Sequence, residues 1–251
     1  MPVGRWKRSP NPEAEPYYRD ILDALGQPGC AFCRLSAASA SRFLDAVLWE
    51  MVNDPEVRAE LNEARGYCPQ HSRLLVRSGA ALGVAILSKG ILSTLLDVLA
   101  STPIEGAGDS VVQGFLKGVD RQQPSRASAK LVAALEPQVP CPVCLHQQDR
   151  EREVAATLLA YLDEPGALGL AYERSDGLCL AHFRQALAQA SSTAEARALV
   201  RVQQLVWERL HGELGEFIRK SDVRFRDEGF GPEKDAWRRA LEVFAGSSRA
   251  E

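Results

Sequence analysis

Residues 141–184 read CPVCLHQQDREREVAATLLAYLDEPGALGLAYERSDGLCLAHFR, and residues 30–73 read CAFCRLSAASASRFLDAVLWEMVNDPEVRAELNEARGYCPQHSR. Both stretches carry one pattern: Cys30-x-x-Cys33 then Cys68-x-x-His71, and Cys141-x-x-Cys144 then Cys179-x-x-His182. The interval from Cys33 to Cys68 is 35 positions, as is that from Cys144 to Cys179, and the copies lie 111 apart. All 6 cysteines of the chain belong to this pattern. Six thiols and two imidazoles so spaced read as two metal sites, each with three cysteine ligands and one histidine.

The repeat extends beyond the ligands, so the spacing is not chance. Phe43, Leu44, Val47, Leu48 and Met51 in the first copy match Val154, Ala155, Leu158, Leu159 and Leu162 in the second. Steps of one and three place each set on one helical face. Val57 and Leu61 match Leu168 and Tyr172, an i, i+4 pair on a shorter helix; Gly66 matches Gly177 and Arg73 matches Arg184. Each copy therefore predicts a long helix, a short returning helix and a third helix that carries the histidine.

Which ligands join which is a question of reach. A helix from Cys33 to about Val52 runs outward roughly 30 Å at 1.5 Å per residue, and about fifteen residues remain for the return to Cys68. That path is short but sufficient. The exchanged alternative joins Cys30 and Cys33 to Cys179 and His182, and its longer loop costs about 1 kcal/mol more entropy. Local closure within each copy is the expectation; the exchanged pairing stays open.

Pro69 and Pro142 each follow a cysteine, where proline suits the first position of a helix. The thiolates then sit at helix starts, where unpaired amide N–H groups and the positive dipole end favour negative charge.

At 251 residues the chain is long enough for one large or two small domains with a real core. Hydrophobic residues make up 45% and charged residues 25%, as in ordinary soluble proteins. A net charge of −3 argues against a general attraction to nucleic acid or to an acidic membrane. The first residues show no apolar signal region, so a cytoplasmic location is expected, and a reducing compartment favours metal over disulfides.

The domain reading is a flexible tail and lead-in helix over 1–27, a first CxxC–CxxH helical repeat over 28–100, and a linker over 101–139 punctuated by glycine and proline. A second repeat over 140–221 and a docking helix over 222–251 follow. Val111–Leu116 predicts a helical turn and Lys130–Glu136 a short helix. Leu82–Ala100 is the most hydrophobic segment, interrupted by Lys89 and Asp97; it predicts a buried core helix rather than a membrane span. Thr193–Lys220 predicts a longer amphipathic helix. Trp237, Leu241 and Phe244 predict the inner face of the closing helix, which ends at Gly246. With no alternating strand pattern, the fold class is all-α: a helical bundle of two related metal-binding repeats about a pseudo-two-fold axis.

Cys141-Pro-Val-Cys144, Gly177-Leu-Cys-Leu-Ala-His-Phe-Arg184, Asn53-Asp54-Pro55, the Gly83–Leu96 helix and Asp235-Ala-Trp-Arg-Arg-Ala240 together resemble a bacterial family of uncharacterised proteins with paired CxxC/CxxH motifs. The likeness spans roughly residues 28–246. It implies the helical fold and the metal ligands and brings no catalytic residues.

For each four-residue set, structural zinc closed by four protein ligands is the first reading. A pair of iron–sulfur clusters with histidine replacing one cysteine is the second. A redox dithiol leaves the matched His71 and His182 unexplained, and the thioredoxin-like βαβ context is missing. A zinc hydrolase needs an open coordination position and a general base, and neither motif offers them. His146 reads as a surface residue and His211 as a satisfied, partly buried one. Basic clusters stand at Arg219, Lys220, Arg224 and Arg226, with Phe225 among them, and at Arg238 and Arg239, a pattern that superficially suits single-stranded nucleic acid. Interleaved Asp222, Asp227, Glu228 and Asp235 instead make this a solvated face. Two function classes follow. One is a non-catalytic zinc module that binds a protein or small-molecule partner, and the other is an electron-transfer protein with two iron–sulfur clusters.

Overall fold

The computed structural model describes residues 14–102, 126–163 and 166–246; the tail before residue 14 and the turn expected at Val111–Leu116 lie outside them. Among the described residues every regular element is helical, as expected. In chain order these are α1 (Tyr18–Leu25), α2 (Ala31–Trp49), α3 (Pro55–Glu63), α4 (Pro69–Arg73), α5 (Ala81–Ser101) and α6 (Arg126–Leu135). Then come α7 (Pro142–Tyr161), α8 (Ala167–Arg174), α9 (Leu180–Gln189), α10 (Thr193–Lys220), two 3₁₀ turns (Val223–Glu228 and Pro232–Asp235) and α11 (Ala236–Ala245). The offset of 111 carries the start of α2 onto that of α7, and it brings the starts of α3, α4 and α5 to within a residue of those of α8, α9 and α10.

Local chemistry sets the helix starts. Asp54 caps α3 by accepting from the backbone N–H of Glu56 and Val57, with Pro55 at the first position. Ser192 caps α10 through Glu195 N–H, while the Glu195 carboxylate reaches back to Ser191 N–H at 2.7 Å, a variant of the capping box.

The chain forms two compact units. Unit 1 holds the described residues up to Ser39 and from Gln147 onward; unit 2 is Ala40–His146. In unit 1, Ile21, Phe32, Leu158, Leu162, Leu168, Tyr172 and Leu199 are the buried centre of a large apolar cluster. In unit 2, Ala40, Leu44, Val47, Leu61, Leu87 and Val143 form a smaller one.

Two expectations about apolar helices are corrected. Helix α5 is not a buried core helix: only Leu87 is buried, and Leu82, Leu92, Leu96 and Leu99 are exposed. By length and composition it could cross a membrane. Its composition is so uniformly apolar that hydrophobicity cannot single out the one stripe that packs. In α11, Trp237, Leu241 and Phe244 are exposed, and the smaller Ala236, Ala240 and Val243 pack against Leu210 and Leu214 of α10. Small side chains let two helices approach closely, and the large ones turn outward. The helix does end at Gly246, at φ +77°.

Arg219 and Lys220 at the end of α10 and Arg239 of α11 are ion-paired. Arg219 meets Glu216 and Glu228, Lys220 meets Glu233 at 2.8 Å, and Arg239 meets Glu213 and Asp235. Two histidines differ from expectation. His146 is half-buried, its ring 4.7 Å from that of Phe43, and His211 is exposed on α10.

Candidate metal centres

The eight ligand candidates converge in two groups of four. Cys30, Cys33, Cys179 and His182 meet in unit 1, and Cys68, His71, Cys141 and Cys144 meet in unit 2, with all ligand atoms of a group within 4.8 Å of one another. Each CxxC therefore joins the CxxH of the other copy, and local closure is overturned. Helix lengths give the reason. Helix α2 has 19 residues and carries the chain about 29 Å outward. Helix α3 has only 9 residues and spans about 14 Å, so the two helices by themselves do not return the chain to its starting level. Helices α7 and α8, with 20 and 8 residues, repeat the mismatch.

In unit 1, His182 Nδ1 lies 3.2 Å from Cys179 Sγ, 3.3 Å from Cys33 Sγ and 3.5 Å from Cys30 Sγ, and Cys33 Sγ is 3.8 Å from Cys179 Sγ. In unit 2, His71 Nδ1 lies 3.2, 3.4 and 3.6 Å from the sulfurs of Cys68, Cys144 and Cys141, and Cys68 Sγ is 3.8 Å from Cys144 Sγ. A tetrahedral ion with thiolate bonds of about 2.3 Å and an imidazole bond of about 2.0–2.1 Å sets S···S at about 3.8 Å and S···N at about 3.5 Å. Each group has the dimensions of a site for one ion, and none of the six cysteines is spent in a disulfide.

Cys68 and Cys179 are the N-cap residues of α4 and α9, extended at φ −63° and −67°. Backbone N–H groups of Gln70 and His71 donate to Cys68, and that of His182 to Cys179. These contacts realise the expected helix-start stabilisation of thiolates. Burial works against Cys68, yet the His71 N–H, the Cys144 thiol and the Gln70 N–H hold it below the usual thiol range. Burial, with Cys141 and Cys68 close by, pushes Cys144 up to about 12.

In unit 1, hydrogen bonds from Cys30 and Cys33, with that from His182, hold Cys179 far below the usual thiol range. Its bonds to Cys179 and Cys33 and its burial push Cys30 far above that range. Burial draws His182 down, but Cys179, Cys30 and Glu151 outweigh it and push the imidazole up to about 12. Cys179 beside His182 favours a thiolate next to a protonated imidazole; a dication displaces such protons when it binds.

The loop into Cys179 is held by residues that sequence reasoning missed. Gln203 of α10, fully buried, accepts from Leu178 N–H at 3.0 Å and from the Tyr172 hydroxyl. Ser175 Oγ accepts from Gly177 N–H at 2.9 Å. Gly177 takes φ +69°, and a Cβ there would come 2.9 Å from Gln203 Nε2, so both backbone angle and space call for glycine. Asp176 accepts from Gly29 N–H at 2.7 Å, which ties this loop to the residue before Cys30. Around His182 stand Phe32, with ring centroids 5.8 Å apart, and Glu151, whose Oε1 is 3.4 Å from Nε2. Glu151 also accepts from Ser36 Oγ at 2.7 Å and Gln185 Nε2 at 2.9 Å. Gly246 approaches so closely that a Cβ there would lie 3.3 Å from Cys33 Sγ. Gly177 recurs as Gly66, but the polar supports do not: the positions 111 before Gln203, Glu151 and Gln185 hold Leu92, Ala40 and Leu74.

In unit 2 the loop into Cys68 is held otherwise. Arg65 donates to the carbonyls of Asn62 and Ala134, both at 3.0 Å, and Gln138 N–H donates to Glu63 O at 2.9 Å. These bonds bind the approach to Cys68 to the segment that leads into Cys141.

The chain is 22% identical over 228 residues to an "Uncharacterized 23.9 kDa protein in xynA 3'region" of Caldicellulosiruptor sp. (strain Rt8B.4), a match that covers 90% of this chain and 100% of that one. No solved structure matches. A family model described as "Family of unknown function (DUF6062)" matches residues 19–251, and the chain belongs to that family.

Proposed function

We propose that this protein is a non-catalytic helical module with two structural zinc ions, one held by Cys30, Cys33, Cys179 and His182 and the other by Cys68, His71, Cys141 and Cys144. The observation that carries the reading is the closeness of the ligand atoms, all within 4.8 Å of one another in each group with Cys33–Cys179 and Cys68–Cys144 at 3.8 Å between sulfurs, which suits thiolates about a single tetrahedral ion. An iron–sulfur cluster places several iron and sulfide atoms among its thiolates and spreads them farther apart. Four protein ligands close the coordination sphere, which favours a structural over a catalytic role. Six reduced thiols suit a cytoplasmic setting.

The module's partner is a protein segment or a small molecule. An open cleft of about 600 Å³ in unit 1, walled by Phe183, Leu187, Val200 and Trp207 with Gln204 and His211 at its edge, supports such a role. Metal analysis of protein purified without air tests the reading. Two zinc ions per chain and a colourless solution are expected. A brown protein containing iron and acid-labile sulfide would replace zinc with clusters.

A further inference from the structure

We propose that Glu151 is a positioning residue for the metal site of unit 1: it holds the Nε2–H of His182 and so presents Nδ1 to the ion. The inference rests on the metal reading above. A neutral imidazole carries its proton on one nitrogen, and the hydrogen bond made by the other nitrogen decides which one is left to coordinate. The three sulfurs surround Nδ1, at 3.2–3.5 Å. The far nitrogen faces Glu151 Oε1 at 3.4 Å, and a carboxylate can only accept from it. Both side chains are largely buried, at 13% and 16% exposure, so little water competes for the bond.

The carboxylate is itself fixed. Ser36 Oγ donates to Oε1 and Gln185 Nε2 to Oε2, while Gln147 Nε2 donates to both Ser36 Oγ at 2.8 Å and Ser36 O at 3.1 Å. Ser36 lies one helical turn beyond Cys33 on α2, and Gln185 lies three residues beyond His182 on α9. The network thus ties the helix that starts at the CxxC to the helix that carries the histidine, through one carboxylate on α7. A carboxylate behind a metal-bound imidazole orients the ring and raises its basicity, and losing such a partner commonly weakens metal binding 10–100-fold.

Because Ala40 and Leu74 stand at the matched positions, replacing Glu151 leaves the four ligands of unit 2 and their surroundings untouched. The second site serves as an internal reference. In the zinc-loaded full chain, Glu151→Ala should release one of the two zinc ions to a chromophoric chelator about 10–100-fold faster, with the other at the wild-type rate. Glu151→Gln keeps an acceptor oxygen and should restore part of the slow release. The readout that a merely structural role would not move is the ¹⁵N spectrum of the histidine rings. Wild-type zinc protein should show His182 coordinated through Nδ1 with a slowly exchanging Nε2 proton. That proton should exchange faster in Glu151→Ala and slow again in Glu151→Gln.

A wild-type His182 coordinated through Nε2 would overturn the inference without any variant. So would release of both ions at wild-type rates from Glu151→Ala, or equal acceleration of both. In those cases two bound zinc ions would still uphold the metal reading. A wild-type chain that binds no zinc would overturn both.

Discussion

The loops into Cys68 and Cys179 share a glycine, a cysteine and a histidine at the same spacing, yet they are held by different means. In unit 1 the anchor is a buried glutamine on α10, and a carboxylate network stands behind His182. In unit 2 the anchor is the Arg65 guanidinium, which bonds the carbonyls of Asn62 and Ala134. Leu92, the residue matched to Gln203, is exposed. The cysteine and histidine spacing recurs because a four-ligand site of the kind proposed leaves little freedom in it. Any donor or acceptor that fixes the loop will serve, so the supports diverge. Helix α10 buries Leu199, Val202, Gln203, Val206 and Leu210, whereas its counterpart α5 buries only Leu87.

The largest expected effect is removal of a ligand, which also tests the exchanged pairing. Cys179→Ala should cost one zinc ion and loosen unit 1. Cys141→Ala should cost the other ion and loosen unit 2. Each loss is on the order of several kcal/mol, because metal binding free energy is folding free energy in such sites. Hydrogen exchange read by mass spectrometry locates the damage. If Cys179→Ala loosened the segment around Cys141 instead of that around Cys30, the assignment of ligands to units would break.

A smaller effect sharpens the contrast between the two helices. Gln203→Leu leaves Leu178 N–H without its buried acceptor and deprives the Tyr172 hydroxyl of its own, which should cost about 1–3 kcal/mol. The reverse change at the matched position, Leu92→Gln, sits on an exposed face and should stay within about 0.5 kcal/mol. Chemical denaturation of the zinc-loaded proteins measures both. Equal costs would mean that α5 and α10 do the same work.

The smallest effect concerns the closing segment of unit 1. Lys220 Nζ and Gly231 N–H both bond Glu233 Oε1 at 2.8 Å, and these bonds lower the Glu233 carboxyl from 4.5 to about 2. A lowered folded-state pKa means the stabilisation is fully present above the unfolded value near 4.5. It is lost as the pH falls through about 2. A carboxyl titration followed by NMR should place the Glu233 midpoint near 2, and Lys220→Met should move it back toward 4.5. A midpoint unmoved by that substitution would remove Lys220 as the cause.

Much of the fold was legible because helix formation is local. Pro69 and Pro142 mark starts, Gly246 marks an end, and the spacing from Thr193 to Lys220 defines α10 from end to end. Apolar spacing proved less reliable where many apolar residues compete. Leu82 and Leu96 in α5 and Trp237 and Phe244 in α11 point outward, since periodicity names a stripe but not which stripe meets a neighbour. The supporting residues were illegible for another reason. Glu151 and Gln203 are single polar residues in polar or amphipathic helices, and only their position in space gives them a task.

The sequence by itself determined the eight candidate ligands, the composition of each set as three cysteines and one histidine, and the helical class. Coordination chemistry and helical periodicity are both written in short-range spacing. Only the tertiary structure decided that Cys30 and Cys33 join Cys179 and His182. Loop entropy favoured local closure by about 1 kcal/mol. Two rigid helices of unequal length do not by themselves return the chain, and contacts such as Arg65 to Ala134 O and Gln138 N–H to Glu63 O, which hold the approach to Cys68 to the segment before Cys141, outweigh a preference that small.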